Sequence, residues 1–335
     1  MSTDAATTPS SPTSGVEPKP ASPHARARHP LLPAPGELTI TDTPASSRLV
    51  DVMGGALRRE IRVHEHGFIA LVDAMPRLVP EGQTADAAIV QAARVSYGEG
   101  TKKVNEDRGL IRYLLRHRHT TPFEMLEFKF HVAMPVFVAR QWIRHRTANV
   151  NEYSARYSIV PDRFYRPAPD AVRKQSVSNR QGGEEPLDLG DPAQARTAEQ
   201  FLSLLSDAEG LYARYAALLE EGVTRELARS VLPVSVYTEW YWKCDLHNIL
   251  RFLSLRLDSH AQKEIRDYAR AMYALLESIV PITMEAFRDY ELDAIRLTGP
   301  EVEALRTGRA LASENARERA EWEQKRGRIG LAPLE

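Results

Sequence analysis

Residues 126–134, LEFKFHVAM, switch between apolar and polar positions every second residue, the period of a strand that buries one face. Pro135 follows, and a proline suits the first turn of a helix, so VFVARQWIRHR is predicted to run helical through Arg146. On that helix Arg140 and Arg144 stand at i and i+4, Gln141 meets Arg144 and His145, and Trp142 with Ile143 supplies the apolar side. Residues 200–222 form an amphipathic pattern that stops at Gly222. TRELARSVLP reads as a shorter helix ended by Pro233, with Arg225 and Arg229 at i and i+4. DLHNILRFLSLRL places Leu246, Ile249, Leu250, Leu253 and Leu257 on a buried face, opposite His247, Arg251 and Ser254. After Asp258, SHAQKEIRDYARAMYALLESIVP is predicted to be a long helix that stops at Pro281. Helices outnumber strands, and the expectation is an α+β domain.

The flanks read differently. Residues 1–45 hold nine of the 22 prolines, are rich in Ser, Thr and Ala, and precede the first aromatic, Phe68. That composition cannot bury enough apolar surface to offset the entropy of ordering, so a disordered segment is expected. Arg26 and Arg28 would suit a transit peptide, but Asp4 and Glu17 count against one. Residues 46–298 form the folded body, within which residues 174–192, KQSVSNRQGGEEPLDLGDP, read as a surface insertion. Residues 299–335 alternate Arg and Glu at helical spacing and read as a solvated, charged helical tail.

Composition then bounds the function. The 335 residues carry 44 Lys and Arg against 45 Asp and Glu, a net charge of −1, so no global field draws the chain to nucleic acid or an anionic membrane. Any anion site must be local. A single cysteine, Cys244, excludes an internal disulfide and a Cys-rich zinc site, and fits a reducing compartment. With no 18-residue apolar run and no signal segment, the expectation is a cytoplasmic protein without membrane or nucleic-acid partners.

The local candidate is RQWIRHRTANVNEYSARY, residues 140–157, where Arg144, His145 and Arg146 are followed after seven residues by Ser154 and then Arg156. A planar guanidinium donates two parallel hydrogen bonds to a phosphate. Arg229 and Arg256 join from two other helices, and each needs a partner. Spacing alone leaves two readings open: an anionic ligand, or structural ion pairs. A nucleic-acid module using RHRHT and RHRT is a rival class that the balanced charge disfavours. His117, His119 and His145 have no carboxylate or thiolate to complete a metal set, so no metal is expected. Cys244, in YWKCDL, reads as a small buried thiol. Ser154 has no Ser-His-Asp arrangement around it and reads as a positioning residue rather than a nucleophile.

The Arg-His-Arg, seven-residue, Ser pattern resembles the signature of the flavin-dependent thymidylate synthases. The similarity runs from about residue 67 to residue 290 and includes AARVSY, HTTPFE, FVARQWIRHR, NEYSARYS, ELARSVLP and LRLDSHAQKEI in order. It implies a helix-rich single domain around a small, mostly antiparallel sheet, assembled as a homotetramer with active sites shared between subunits. It also implies FAD as cofactor and conversion of dUMP to dTMP, with methylenetetrahydrofolate as carbon donor and NADPH as reductant. Carried over by position, Gln141, Arg144, Ser154, Ala155, Arg156, Arg229 and Arg256 match residues that hold dUMP. His119, Thr121, Arg144, His145, Arg146 and Glu152 match residues that contact FAD. Arg256, Arg156 and Ser154 match the catalytic part of the site, where a cation near N3 and O2 favours the ionised or enolate-like uracil. The chain departs from the family where several members carry Asn-x-Arg against FAD: here stand Asp245 and His247, with Arg251 at a nearby position often occupied by Asn. The resemblance places these three at the adenine end of the flavin, held in a different way.

Overall fold

The computed structural model describes residues 48–95, 107–177 and 182–331. The segment expected to be disordered lies outside them, as do the middle of the insertion and the last four residues of the tail. The chain begins with β1 (Leu49–Asp51), β2 (Arg59–Val63), β3 (Gly67–Met75) and β4 (Leu78–Pro80), then α1 (Asp86–Val95), α2 (Asp107–Arg116) and the single turn α3 (Thr121–Glu124). β5 (Glu127–Pro135) leads without a loop into α4 (Val136–Trp142), followed by β6 (Asn149–Glu152), the pair β7 (Arg173–Gln175) and β8 (Gly183–Pro186), and α5 (Pro192–Glu220). α6 (Arg225–Ala228) and a 3-10 turn (Arg229–Val231) precede β9 (Tyr237–Asp245), α7 (Leu246–Arg256), α8 (Lys263–Glu277), α9 (Pro281–Phe287), α10 (Gly299–Thr307) and α11 (Ala316–Arg328).

One five-stranded sheet, in the order β2-β3-β5-β9-β6 and antiparallel throughout, organises the molecule. The α+β prediction therefore holds. Its central pair, β5 and β9, is in register from Glu127 opposite Asp245 to Pro135 opposite Tyr237. Because side chains alternate across a strand, Phe128, Phe130, Val132, Trp240, Trp242 and Cys244 share the buried face. Against it pack α4, α7 and α8. Trp142 is wholly buried and lies stacked 4.7 Å from Phe252, with Trp240 and Trp242 at its edges. Burying aromatics of this size is the largest apolar gain available to the core.

Gly67, at the start of β3, shows how closely the layers approach. A Cβ there would lie 2.1 Å from the Tyr268 hydroxyl and 2.4 Å from the Val63 carbonyl oxygen. The Tyr268 hydroxyl in turn donates to the Ala133 carbonyl at 2.7 Å, which ties α8 to β5.

Several boundaries differ from the sequence reading. α4 ends at Trp142, not at Arg146, because Trp142 enters the core and the chain must turn to pair Asn149 with Lys243 of β9. Pro135 is the last residue of β5 and caps α4 from outside its first turn. α5 starts at Pro192, where Asp191 accepts from the Ala193 N–H at 2.8 Å, so the end of the segment read as an insertion is a helix start. The described remainder of that segment holds β8 and most of β7, which pair antiparallel. α8 begins only at Lys263, since Asp258 folds the intervening residues into a turn by accepting from the His260 N–H at 2.8 Å. Residues 299–331 hold two helices, α10 and α11, and are not wholly solvated: Trp322 packs with Ala304 and Leu311, and Lys325 holds Glu301 at 2.7 Å.

Candidate active site

Two strand-to-helix junctions, β5–α4 and β9–α7, place the first group of site residues. Beyond the buried Trp142 the chain emerges with Arg144, His145 and Arg146, while α7 brings Arg251 and Arg256 toward them. Arg256 Nε donates to His145 Nε2 at 3.1 Å across 111 residues of sequence. The imidazole also meets the Phe252 ring edge-on at 4.9 Å. Burial, then the charges of Arg256 and Arg251, push the His145 pKa down to about 4. The ring is therefore neutral at pH 7, and its Nε2 lone pair accepts the Arg256 hydrogen bond. Gln141, on the last turn of α4, donates its amide to Gln262 ahead of α8.

The second group lies on the loop after β6 and on α6. The Ser154 carbonyl accepts from the Tyr157 and Ser158 N–H groups at 3.1 Å each, and its Oγ accepts the Arg156 N–H at 3.4 Å. Arg156 Nε stands 3.4 Å from a Glu226 carboxylate oxygen, both side chains being more than half exposed. Arg229 Nε donates to the Glu226 carbonyl at 3.3 Å, and Arg225 Nη1 to the Tyr157 carbonyl at 2.7 Å. Arg225 thus clamps the loop that carries Ser154, Ala155 and Arg156. Its i, i+4 spacing with Arg229 was visible in the sequence, but the loop it would hold was not.

The remaining candidates sit around α3 and the start of α7, which pack on each other, except Glu152 at the end of β6, opposite Trp240 of β9. His119 is exposed, 5.9 Å from the Tyr113 ring, and Thr121 opens α3. Asp245 is the N-cap of α7: one carboxylate oxygen accepts from the Asn248 N–H at 2.9 Å and the other from its side-chain amide at 2.8 Å. Glu152 accepts from the Thr238 hydroxyl at 2.8 Å. His247 is half-buried on the first turn of α7.

Among the described residues, no hydrogen bond or ion pair joins the Ser154–Arg229 group to the His145–Arg256 group. Arg144, Arg146, Arg229, Arg251 and Arg256 also have no carboxylate partner there; the first four are exposed to solvent, whereas Arg256 is half-buried, where a cation ordinarily finds one. The Cys244 thiol donates to the Thr147 carbonyl at 3.1 Å, and burial raises its pKa to about 12. No cluster of three His, Cys, Asp or Glu side chains among the described residues could hold a metal ion.

Residues 77–282 match the family model described as thymidylate synthase complementing protein. The flavin-dependent thymidylate synthase of Dictyostelium discoideum is 63% identical over 82% of this chain and 89% of its own length. That of Gluconobacter oxydans is 52% identical over 80% and 86%. Among solved structures, the UMP/dUMP methylase PolB from Streptomyces cacaoi, crystallised with 5-Br UMP, superposes with a TM-score of 0.57 at 33% identity, covering 69% of this chain and 97% of its own. The family-model match spans the segment that carries the arginine groups, and the chain belongs to the flavin-dependent thymidylate synthase family.

Proposed function

We propose that this protein carries out the reductive methylation of dUMP to dTMP in the cytoplasm, with FAD as cofactor, methylenetetrahydrofolate as carbon donor and NADPH as reductant. The observation that carries the reading is Arg256, a half-buried guanidinium whose partner is the neutral His145 imidazole and not a carboxylate, with exposed Arg144, Arg146, Arg229 and Arg251 available to an anion around α4, α6 and α7. Nucleotide phosphates and an ionised uracil are the ligands that such a set recognises. Among the described residues no helix is long and apolar enough to cross a membrane.

The residues present fit FAD. Arg144 and Arg146 are exposed and uncommitted, which suits a pyrophosphate; His119 and Thr121 stand at α3, which packs on the helix α7 that carries His247 and Arg251, and Arg251 acts on His145. When bound, the flavin supplies the redox chemistry. Asp245 would contribute through the cap it forms with Asn248. The chain's own part is charge and orientation. Arg256 is partnered by a neutral imidazole rather than a carboxylate, so its positive charge is not cancelled and is available to an ionised ring. Arg156 and Arg229 meet the phosphate end, and Ser154 with Ala155 orients the nucleotide by a loop that Arg225 holds.

The dUMP positions fall into two groups that no hydrogen bond or ion pair joins among the described residues of one chain. That division supports a homotetramer in which one subunit supplies Gln141, Arg144 and Arg256 and another supplies Ser154, Ala155, Arg156 and Arg229. α5 supports it too: in 29 residues it buries only Ala198 and Tyr215, leaving Phe201 and Leu204 exposed.

The test is tritium release from C5-labelled dUMP, measured with and without FAD, on protein whose flavin absorbance has been recorded. Release that needs FAD, folate and NADPH is expected. A colourless protein that releases no tritium under any combination sinks the proposal.

A further inference from the structure

Gln141 and Gln262 meet across 121 residues of sequence, the Gln141 side-chain amide donating to the Gln262 side-chain oxygen. Gln262 is the N-cap of α8, a place where Ser, Thr, Asp or Asn is favoured because a short side chain there accepts from the first free N–H groups of the helix. The Gln262 side chain makes no such bond, and its oxygen goes to Gln141 instead. Its backbone is fixed from both sides. Before it, Asp258 folds a turn: its carboxylate accepts from the His260 N–H at 2.8 Å and its carbonyl from the Ala261 N–H at 3.0 Å. After it, the Gln262 carbonyl accepts from the Arg266 N–H at 3.1 Å, while Arg266 Nη1 reaches back to the Ser259 carbonyl at 2.8 Å. In the first turns of α8, Asp267 takes the Lys263 ammonium at 2.6 Å and meets His64 Nε2 at 3.0 Å, which ties the helix to the turn between β2 and β3.

The Asp258 turn starts beside Arg256, the last residue of α7. Residues 257–261 therefore join, at their two ends, the guanidinium that donates to His145 and the partner of Gln141. A glutamine side chain is long and rotamer-rich, and ordering it when a ligand arrives opposes binding. Gln141 is held before any ligand arrives. One amide N–H is committed to Gln262, which sets the plane of the group and leaves its carbonyl oxygen and second N–H for a ligand. We propose that Gln262 is a positioning residue for dUMP, acting through Gln141 by fixing which edge of that amide the nucleotide meets. The inference rests on the reading of Gln141 as a dUMP residue and places Gln262 behind it.

The test uses the full-length, FAD-loaded protein and reads equilibrium binding of dUMP by calorimetry, with steady-state kinetics alongside. Gln262→Leu should weaken dUMP binding about fivefold, the order of the penalty for immobilising one rotamer-rich side chain, and raise the dUMP KM by the same factor with kcat little changed. Flavin content, sedimentation and melting temperature should match the wild type, because the Gln262 side chain caps nothing. In the double variant Gln141→Ala/Gln262→Leu the loss should be no greater than in Gln141→Ala alone, whereas Gln262→Leu combined with Arg229→Ala, from the other group, should give losses that add. A purely structural part for Gln262 would lower the melting temperature and add to Gln141→Ala. Unchanged dUMP affinity in Gln262→Leu, or additive losses with Gln141→Ala, overturns the assignment and leaves the functional reading in place. A wild type that binds no dUMP defeats the functional reading first, and this proposal with it.

Discussion

Arg256 donates to an imidazole that burial and two arginines keep neutral, and this pairing decides what each residue can do. Charge on the uracil ring grows toward the transition state, while the phosphate's charge is constant. Arg256→Ala should therefore lower kcat by roughly two orders of magnitude with a modest change in dUMP affinity, whereas Arg229→Ala should mainly raise the dUMP KM. Steady-state kinetics separates the two, and equal losses confined to binding would remove the catalytic role from Arg256. The same pair sets a pH response. The His145 pKa falls on folding from 6.5 to about 4, so the folded state disfavours its proton. Its contribution to stability is complete above pH 6.5 and is lost as pH falls toward 4. In the ligand-free protein, His145→Gln should lose less stability across that window than the wild type, as read by urea unfolding at stepped pH. Cys244 gives the third residue-scale prediction. Its thiol, with a pKa near 12, is no nucleophile at neutral pH. Cys244→Ala should cost about 1 kcal/mol in stability and leave activity per flavin-loaded protein within a few-fold. A folded, flavin-bound but inactive variant would restore a covalent role for the thiol.

At the scale of elements, the site depends on helices that leave their strands without a loop. β5 passes into α4 at Pro135, and β9 into α7 at the Asp245 cap, so the sheet register determines where Arg144, His145 and Arg256 emerge. The alternation of LEFKFHVAM and the apolar face of α7 were legible in the sequence because both are local periods. The end of α4 was not: whether a tryptophan continues a helix or closes it depends on what fills the space beside it, here Phe252 and two strand tryptophans. Gly67 is the point where β3 approaches the β2 backbone and α8 too closely for a side chain. Gly67→Ala should destabilise the sheet by roughly 3 kcal/mol, since the backbone oxygen of Val63 cannot move aside. Thermal unfolding checks it, and a melting temperature unchanged from wild type would show that β3 can shift at no cost.

At the scale of the whole molecule, the proposed sharing of the site between subunits sets two mixing experiments apart. Arg144 stands beside His145, which Arg256 holds, so a mixture of Arg144→Ala and Arg256→Ala subunits should restore nothing. Among the described residues, no hydrogen bond or ion pair joins the Arg256 group to the Arg229 group. Mixing Arg256→Ala with Arg229→Ala subunits should restore roughly a quarter of wild-type activity under random exchange, because only sites that draw each arginine from an intact copy work. Absence of recovery despite demonstrated exchange would mean that each site is built within one subunit.

What the sequence determined by itself was the set of chemical parts and their local frames. The Arg-His-Arg and Ser spacing, the half-buried strand, the amphipathic helices and the low likelihood of a reactive Cys244 all follow from side-chain type and period, which are written along the chain. What only the tertiary structure decided was how those parts act on one another. His145 is neutral because Arg251 and Arg256 reach it from α7, Asp245 is bound up in the cap of that helix, and Arg225 holds a loop nearly seventy positions away. Burial, and the charges that burial lets interact, depend on distance in space, and spacing in sequence carries no record of them.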